Sequence, residues 1–339
     1  MDYDRRDVAF RLLVGVAIVV ALLVGVGWER VVQNLQTADL GIFAVAVAVS
    51  VLGMVVNAEG LRIVLDVPAR GADASLVRRT WLAATFVRSL IPAGTVGGSA
   101  FVAYSVSKDA TTTVSSGVAA AASWEFLTIV ASAVVATAGV AGVAAGGGDT
   151  SNLVVVVVAF VAMLGVAVGL LVAVAHRRGR VVDVLLWLSS VVRRTFGRVV
   201  PRLNDRLSRP QVHGVLDSFF ESVEALLNDR RRLALAVGAA TLGWLLNVFP
   251  LFFSLHAVGL PVSLYVVMVV MPVAGFALAL PIPGGVGPLD AALGGLLALF
   301  AGYPLGALAS ALVLFRVATF GPHVAIGGLA LTTLDETVR

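Results

Sequence analysis

The sequence predicts an all-α polytopic membrane protein, with about six full spans and two Pro/Gly-broken re-entrant hairpins in an inverted repeat. Three observations carry that prediction. The first is composition: 59% of the 339 residues are hydrophobic and only 13% are charged, with a mean hydropathy of +0.99. Soluble domains carry about a quarter charged residues. The second is length, because apolar runs recur at or above the ~20 residues a helix needs to cross a bilayer. The third is the placement of arginines, which gather on alternate loops, as the positive-inside rule requires of cytoplasmic segments.

The first run, Val8–Gly27, follows Arg5 and Arg6 and contains Arg11. No small-x-small cleavage site precedes Trp28-Glu29-Arg30, so it reads as a retained span rather than a removed signal peptide. Further full spans are expected at Leu40–Leu65, Thr112–Ala145, Asn152–Ala175, Leu233–Val258 and Pro304–Thr332. Two other apolar stretches break in the middle. Ser75–Ser107 is interrupted over Pro92–Gly98, and Pro261–Ala301 over Pro281–Pro288.

Charge fixes the orientation. Residues 176–232 hold twelve Arg against six Asp or Glu, a local +6, while the whole chain is only +4. That segment is expected in the cytoplasm, as is the loop with Arg70, Arg78 and Arg79. Gly146–Ser151 has no basic residue and Trp28–Asp39 only Arg30, so both read as external. Six spans then place both termini in the cytoplasm of a multi-pass plasma-membrane protein. The broken stretches fit as re-entrant hairpins, the first entering from inside and the second from outside. Non-helical backbone at that depth is tolerated only inside protein or along a wet cavity.

The chain is expected to be a single integral membrane domain, 1–339, with repeat halves at 40–145 and 233–332. Within the cytoplasmic segment 176–232, Val212, Leu216, Phe219, Val223 and Leu226 recur at helical spacing. Its arginines suit either a loop packed on the membrane or a basic collar for anionic head groups; orientation alone accounts for them.

Several chemistries are excluded. Cys is absent, which removes thiolate catalysis and Cys-ligated metal. The only Lys, Lys108, sits in no phosphate-cradling loop. His176, His213, His256 and His323 are scattered without paired-ligand spacing. The sequence pI of about 10.1 follows from topology, and no aromatic stripe accompanies it as nucleic-acid binding would need. No enzyme activity, metal, cofactor or nucleic-acid partner is expected.

The two interruptions resemble each other. Leu90-Ile91-Pro92-Ala93-Gly94 matches Leu280-Pro281-Ile282-Pro283-Gly284-Gly285 with one insertion, and each lies between two long spans. The resulting triplets run in opposite directions, the mark of an inverted repeat whose substrate site lies between its halves. Half-helices are expected to begin after Gly98 and after Pro288. Their N-termini carry unpaired N–H groups and partial positive charge, suited to an anion, with Gly97, Gly98, Gly285 and Gly287 allowing close approach. Glu125 and Arg316 lie deep in apolar spans, where an unpaired charge costs at least ~2.5–3.5 kcal/mol. Each falls 33 residues after a Pro of its elbow, Pro92 and Pro283. They are therefore expected to face each other, with Arg316 holding a head-group phosphate through its planar fork. A purely structural ion pair is the alternative.

Pro281-Ile282-Pro283-Gly284-Gly285-Val286-Gly287-Pro288-Leu289-Asp290 resembles the signature of the lysylphosphatidylglycerol synthase transmembrane family, also called flippase-like domains. Leu90–Gly98 with Tyr104, and Trp124-Glu125-Phe126, fit its other landmarks. The resemblance spans roughly Leu40 to Thr332, with Asp290 standing where Glu is expected. It implies the membrane half alone, without the family's aminoacyl-transferase or glycosyltransferase domains. It also implies a flippase-like protein that moves an anionic or zwitterionic lipid head group between leaflets. The rivals are a non-transporting scaffold presenting lipid to a separate transferase or glycosyltransferase, and an ion-coupled carrier of a small anion. The expected binding residues are Arg88, Pro92, Gly94, Gly97, Gly98, Tyr104, Glu125, Pro283, Gly284, Gly285, Gly287, Asp290 and Arg316. Membrane lipids are the expected partners; oligomeric state is left open.

The hairpins can be tested in this Cys-free chain. Single cysteines at Lys108 and Gly302 should react with impermeant reagents from the cytoplasmic and external side, respectively. Any other pattern removes the hairpin topology.

Overall fold

The computed structural model describes residues 38–66, 73–91, 94–108, 112–147, 224–280 and 282–337, together with a few single positions. The expected span Val8–Gly27, nearly all of Asn152–Ala175 and most of 176–232 lie outside the described residues. Helix α1 is Leu40–Leu65; α2 (Ala74–Leu90) and α3 (Gly94–Val106) are the arms of the first broken stretch; α4 is Val114–Ala145. After α5 (Arg230–Ala257) come α6 (Leu264–Ala274), 3-10 turns at Gly275–Ala279 and Pro283–Gly285, then α7 (Pro288–Ala301) and α8 (Leu305–Thr337).

The boundaries follow from local chemistry. Asp39 accepts from the N–H groups of Gly41 and Ile42 at 2.8 and 3.0 Å, capping α1. Thr113 and Asp229 cap α4 and α5 in the same manner, each satisfying an N–H that a helix start leaves unpaired. Ile91 ends α2 in an extended conformation (φ −100°, ψ 146°), because the following Pro disfavours the α region. Pro288 opens α7, where a missing N–H costs nothing. The four arms are 17, 13, 11 and 14 residues long, short of the ~20 needed to cross. Among the described residues, four helices are long and apolar enough to span: Leu40–Leu65, Val114–Ala145, Arg230–Ala257 and Leu305–Leu334. Their outward faces carry exposed Leu52, Val55, Ile129, Val134, Leu242 and Leu329, an arrangement suited to lipid rather than water.

Helices α1 and α5 form the most extensive contact and run antiparallel. At one end the Asp39 N–H donates to the Ala257 carbonyl (2.9 Å); at the other, Arg232 pairs with Asp66 at 3.1 Å. Small buried residues make the close approach possible: Ala46, Ser50 and Gly53 on α1, Ala236, Ala240 and Gly243 on α5. Each long helix that follows a broken stretch packs on the first arm of the other stretch, α4 on α6 and α8 on α2. Glycine mediates both contacts. A Cβ on Gly139 of α4 would lie 2.7 Å from the Tyr265 carbonyl, and one on Gly327 of α8 would lie 2.7 Å from that of Leu82. Exchanging α1–α4 with α5–α8 in order maps the principal helix contacts onto one another. Leu226, expected on the apolar face of the cytoplasmic segment, is buried with Leu61, Val77 and Trp81.

Trp124 of α4 is fully buried and occupies the space that a side chain at Gly60 of α1 would need. Gly60→Val should therefore lower stability by about 1–3 kcal/mol, the usual cost of overpacking. Thermal unfolding in detergent measures it, and an unchanged midpoint would show that α1 and α4 can separate freely.

Candidate functional site

The two elbows meet. A Cβ on Gly284 would lie 3.3 Å from the Ser89 carbonyl at the end of α2 and 2.7 Å from the Phe320 ring of α8. Beside this junction lies a cavity of about 360 Å³ lined by residues of α1, α2, α4, α5, α6 and α8 and of both elbows. Its wall is largely apolar, with Met54, Trp81, Trp124, Trp244 and Phe315, but Arg88, Glu125, Arg316 and His323 also line it.

The first ion pair is built upward from Trp124. That ring meets Trp81 of α2 edge-on, with centroids 6.4 Å apart, and the Arg88 guanidinium lies 4.6 Å from the Trp81 ring centroid, within cation–π range. Arg88 Nη2 then donates to Glu125 Oε1 at 2.5 Å. A longer contact of 3.4 Å reaches Ser99. Among the described residues, Nε and Nη1 of Arg88 have no partner; Nε is buried.

The second pair is more fully bonded. Arg316 Nε and Nη2 donate to the two Asp290 oxygens at 2.7 and 3.0 Å, a bidentate fork. Its Nη1 and Nη2 also reach the carbonyls of Gly284 and Gly285 at 2.9 and 3.0 Å. Asp290 in turn accepts from the Gly287 N–H at 3.0 Å, placing a carboxylate on the N-terminus of α7. Gly284, Gly285 and Gly287 all have positive φ (59°, 62° and 87°), a region that penalises any Cβ.

These contacts correct several expectations. Glu125 pairs with Arg88 and Arg316 with Asp290, although Glu125 and Arg316 line one cavity as expected. Each pair joins a broken stretch to the long helix that follows it, Arg88 of α2 to Glu125 of α4 and Asp290 of α7 to Arg316 of α8, so that neither charge stays unpaired in the interior. The first half-helix begins at Gly94, not after Gly98. Gly94, Gly97 and Gly98 are packing positions: a Cβ there would strike the Arg88 carbonyl, the Ile91 side chain and the Arg88 side chain, respectively. The N-terminus of α7 is not open to an external anion, because Asp290 occupies it. Tyr104 is exposed and lies beneath Lys108, 5.4 Å away, outside the cavity lining. Pro92 lies outside the described residues, and Pro283 starts the 3-10 turn of the second elbow.

Of the expected residues, Arg88, Gly94, Glu125, Gly284, Gly285 and Arg316 line the cavity, and Asp290 is joined to it through Arg316. Sequence reasoning missed Asn57, Asn247, Trp244 and His323, which also line it. The asparagines had a readable signal, being amides in the middle of apolar spans.

The family model for the lysylphosphatidylglycerol synthase TM region matches residues 8–327. No curated protein matches the chain.

The pairing generates a charge-exchange test. Arg88→Glu or Glu125→Arg alone should cost about 3–5 kcal/mol by stranding like charges in the interior, and the double exchange should recover most of it. Exchanging Glu125 with Arg316 should not recover, because it sets Arg beside Arg88 and Glu beside Asp290. Folded yield and melting temperature in detergent report both. Gly285→Val should also reduce folded yield, since its φ of 62° rejects a branched side chain.

Proposed function

The chain belongs to the lysylphosphatidylglycerol synthase TM region family, and on that premise we propose that it is a flippase-like protein that moves a lipid head group between leaflets through the cavity between its two elbows. The head group passes the polar interior while the acyl tails stay in lipid. One observation carries this reading: a cavity of about 360 Å³ holds paired charges among helices whose outer faces are apolar. Charged groups inside a spanning bundle mark substrate paths by default.

The contact pattern supports an inverted repeat. The antiparallel α1 and α5 begin its halves, and α2–α3 and α6–α7 are its re-entrant hairpins. A cavity between such halves can open to either side as one half rocks against the other. The Arg78–Glu59 and Arg232–Asp66 pairs sit where α2 and α5 begin and α1 ends, consistent with a shared cytoplasmic edge and cytoplasmic termini in a plasma membrane.

Bond arithmetic favours a zwitterionic head group over a purely anionic one. Both cavity arginines already hold a carboxylate, so an anion that takes one leaves a stranded Glu or Asp, at about 3–5 kcal/mol. A zwitterion brings a phosphate for the arginine and an ammonium for the released carboxylate. Arg88, with unpartnered N–H groups, is the phosphate ligand in this reading, and Glu125 the ammonium ligand. Arg316, with its bonds committed to the elbow, is structural.

Reconstitution into vesicles tests the proposal. Acyl-labelled phosphatidylethanolamine should cross leaflets faster with the protein than in empty vesicles, and Arg88→Ala should remove most of the gain. No exchange, with lipid still bound, would replace the proposal by a lipid-presenting scaffold. Uptake of a small soluble anion would replace it by a carrier.

A further inference from the structure

The α1–α5 crossing carries a motif that the charged pairs do not use. Gly53-Met54-Val55-Val56-Asn57 on α1 and Gly243-Trp244-Leu245-Leu246-Asn247 on α5 share the pattern Gly-x-x-x-Asn. The two pack reciprocally. A Cβ on Gly53 would lie 3.4 Å from Asn247 Oδ1, and one on Gly243 would lie 3.0 Å from Asn57 Nδ2. Each helix therefore gives up a side chain where the other places an amide.

Asparagine in a spanning helix commonly bonds across to a neighbouring helix. Neither does so here. Asn57 Nδ2 donates to the Gly53 carbonyl of its own helix at 2.8 Å, and its oxygen and second N–H have no partner among the described residues. Asn247 has no hydrogen-bond partner among the described residues, and its side chain is exposed where it lines the cavity. Both amides lie on the cavity wall, Asn57 and Asn247 flanked by Met54 and Trp244. With this capacity unspent among the described residues, the crossing offers hydrogen bonds to whatever fills the cavity.

We propose that Asn57 and Asn247 form a hydrogen-bonding station for hydroxyl groups of the lipid head group, so that the cavity selects polyol-bearing head groups. Each amide presents a donor and an acceptor side by side, the complement of a hydroxyl, which is both. The four charges of the two ion pairs cancel, so selection among head groups of equal charge falls to uncharged groups. Trp244, one turn from Asn247, adds an apolar surface for the carbon face of a polyol.

This inference rests on the cavity being a head-group site, and the test separates the two. Dioctanoyl-phosphatidyl-N-(2,3-dihydroxypropyl)ethanolamine and dioctanoyl-phosphatidyl-N-propylethanolamine share one zwitterionic charge pattern, but only the first bears head-group hydroxyls. Their binding to the detergent-purified protein is read by tryptophan fluorescence, since Trp81, Trp124 and Trp244 line the cavity. Wild-type protein should prefer the dihydroxypropyl lipid, and Asn247→Leu or Asn57→Leu should each cut that preference about fivefold, the loss expected for one hydrogen bond. Asn247→Ala serves if Leu lowers the melting temperature by crowding the crossing. An unchanged ratio, or an equal fall for both lipids, overturns the inference while leaving the head-group site standing. Failure of wild-type protein to bind either lipid, together with no leaflet exchange, overturns the head-group reading itself.

Discussion

Inside a membrane-spanning bundle a charge or an open backbone end must find its partner in the protein or along a wet cavity. The Arg316–Asp290 pair meets that requirement at the most demanding point of the fold. The second elbow holds three glycines at positive φ, a helix start at Pro288 and carbonyls that point into the interior. Arg316 bonds two of those carbonyls, Asp290 closes the helix start, and each neutralises the other. Without Arg316 the two carbonyls and the Asp290 charge lose their partner; without Asp290 the Gly287 N–H and the Arg316 charge lose theirs. The shape of the elbow, and with it the cavity wall, depends on this pair.

The first elbow solves the same problem with different parts. Its glycines keep ordinary backbone angles and make room for other groups, with Arg88 lying across the start of α3 where Gly98 has no side chain. The arginine rests on Trp81 and holds Glu125 through one nitrogen. A similar packing frame thus carries one arginine that is spent on structure and one that retains free N–H groups. That difference, more than the charges themselves, gives the cavity a chemical direction.

Much of the fold was readable because hydrophobic length and charge placement are properties of single segments. Leu40–Leu65 was expected and observed with the same ends, because Asp39 caps it and its apolar run stops at Asp66. Two of the other described spans shifted by a few residues where Thr113 and Asp229 take the caps, and the last runs on to Thr337. The broken stretches were legible from Pro and Gly, which act locally through φ and the missing N–H. The pairing of the intramembrane charges was not legible. Six of the expected residues line the cavity, yet sequence spacing joined Glu125 to Arg316.

The sequence by itself determined the membrane class, the positions of the four long apolar helices among the described residues and of the Pro/Gly breaks, and which residues in apolar segments carry charge, since each is set by a residue and its near neighbours. Only the tertiary structure decided which carboxylate each arginine holds, that Asp290 fills the helix end once expected to be open, and that Asn57 and Asn247 face one cavity from antiparallel helices. Those facts depend on how distant segments cross, and the crossings are set by where glycine and alanine let backbones approach. Periodicity along one helix carries no record of which neighbour will occupy that space.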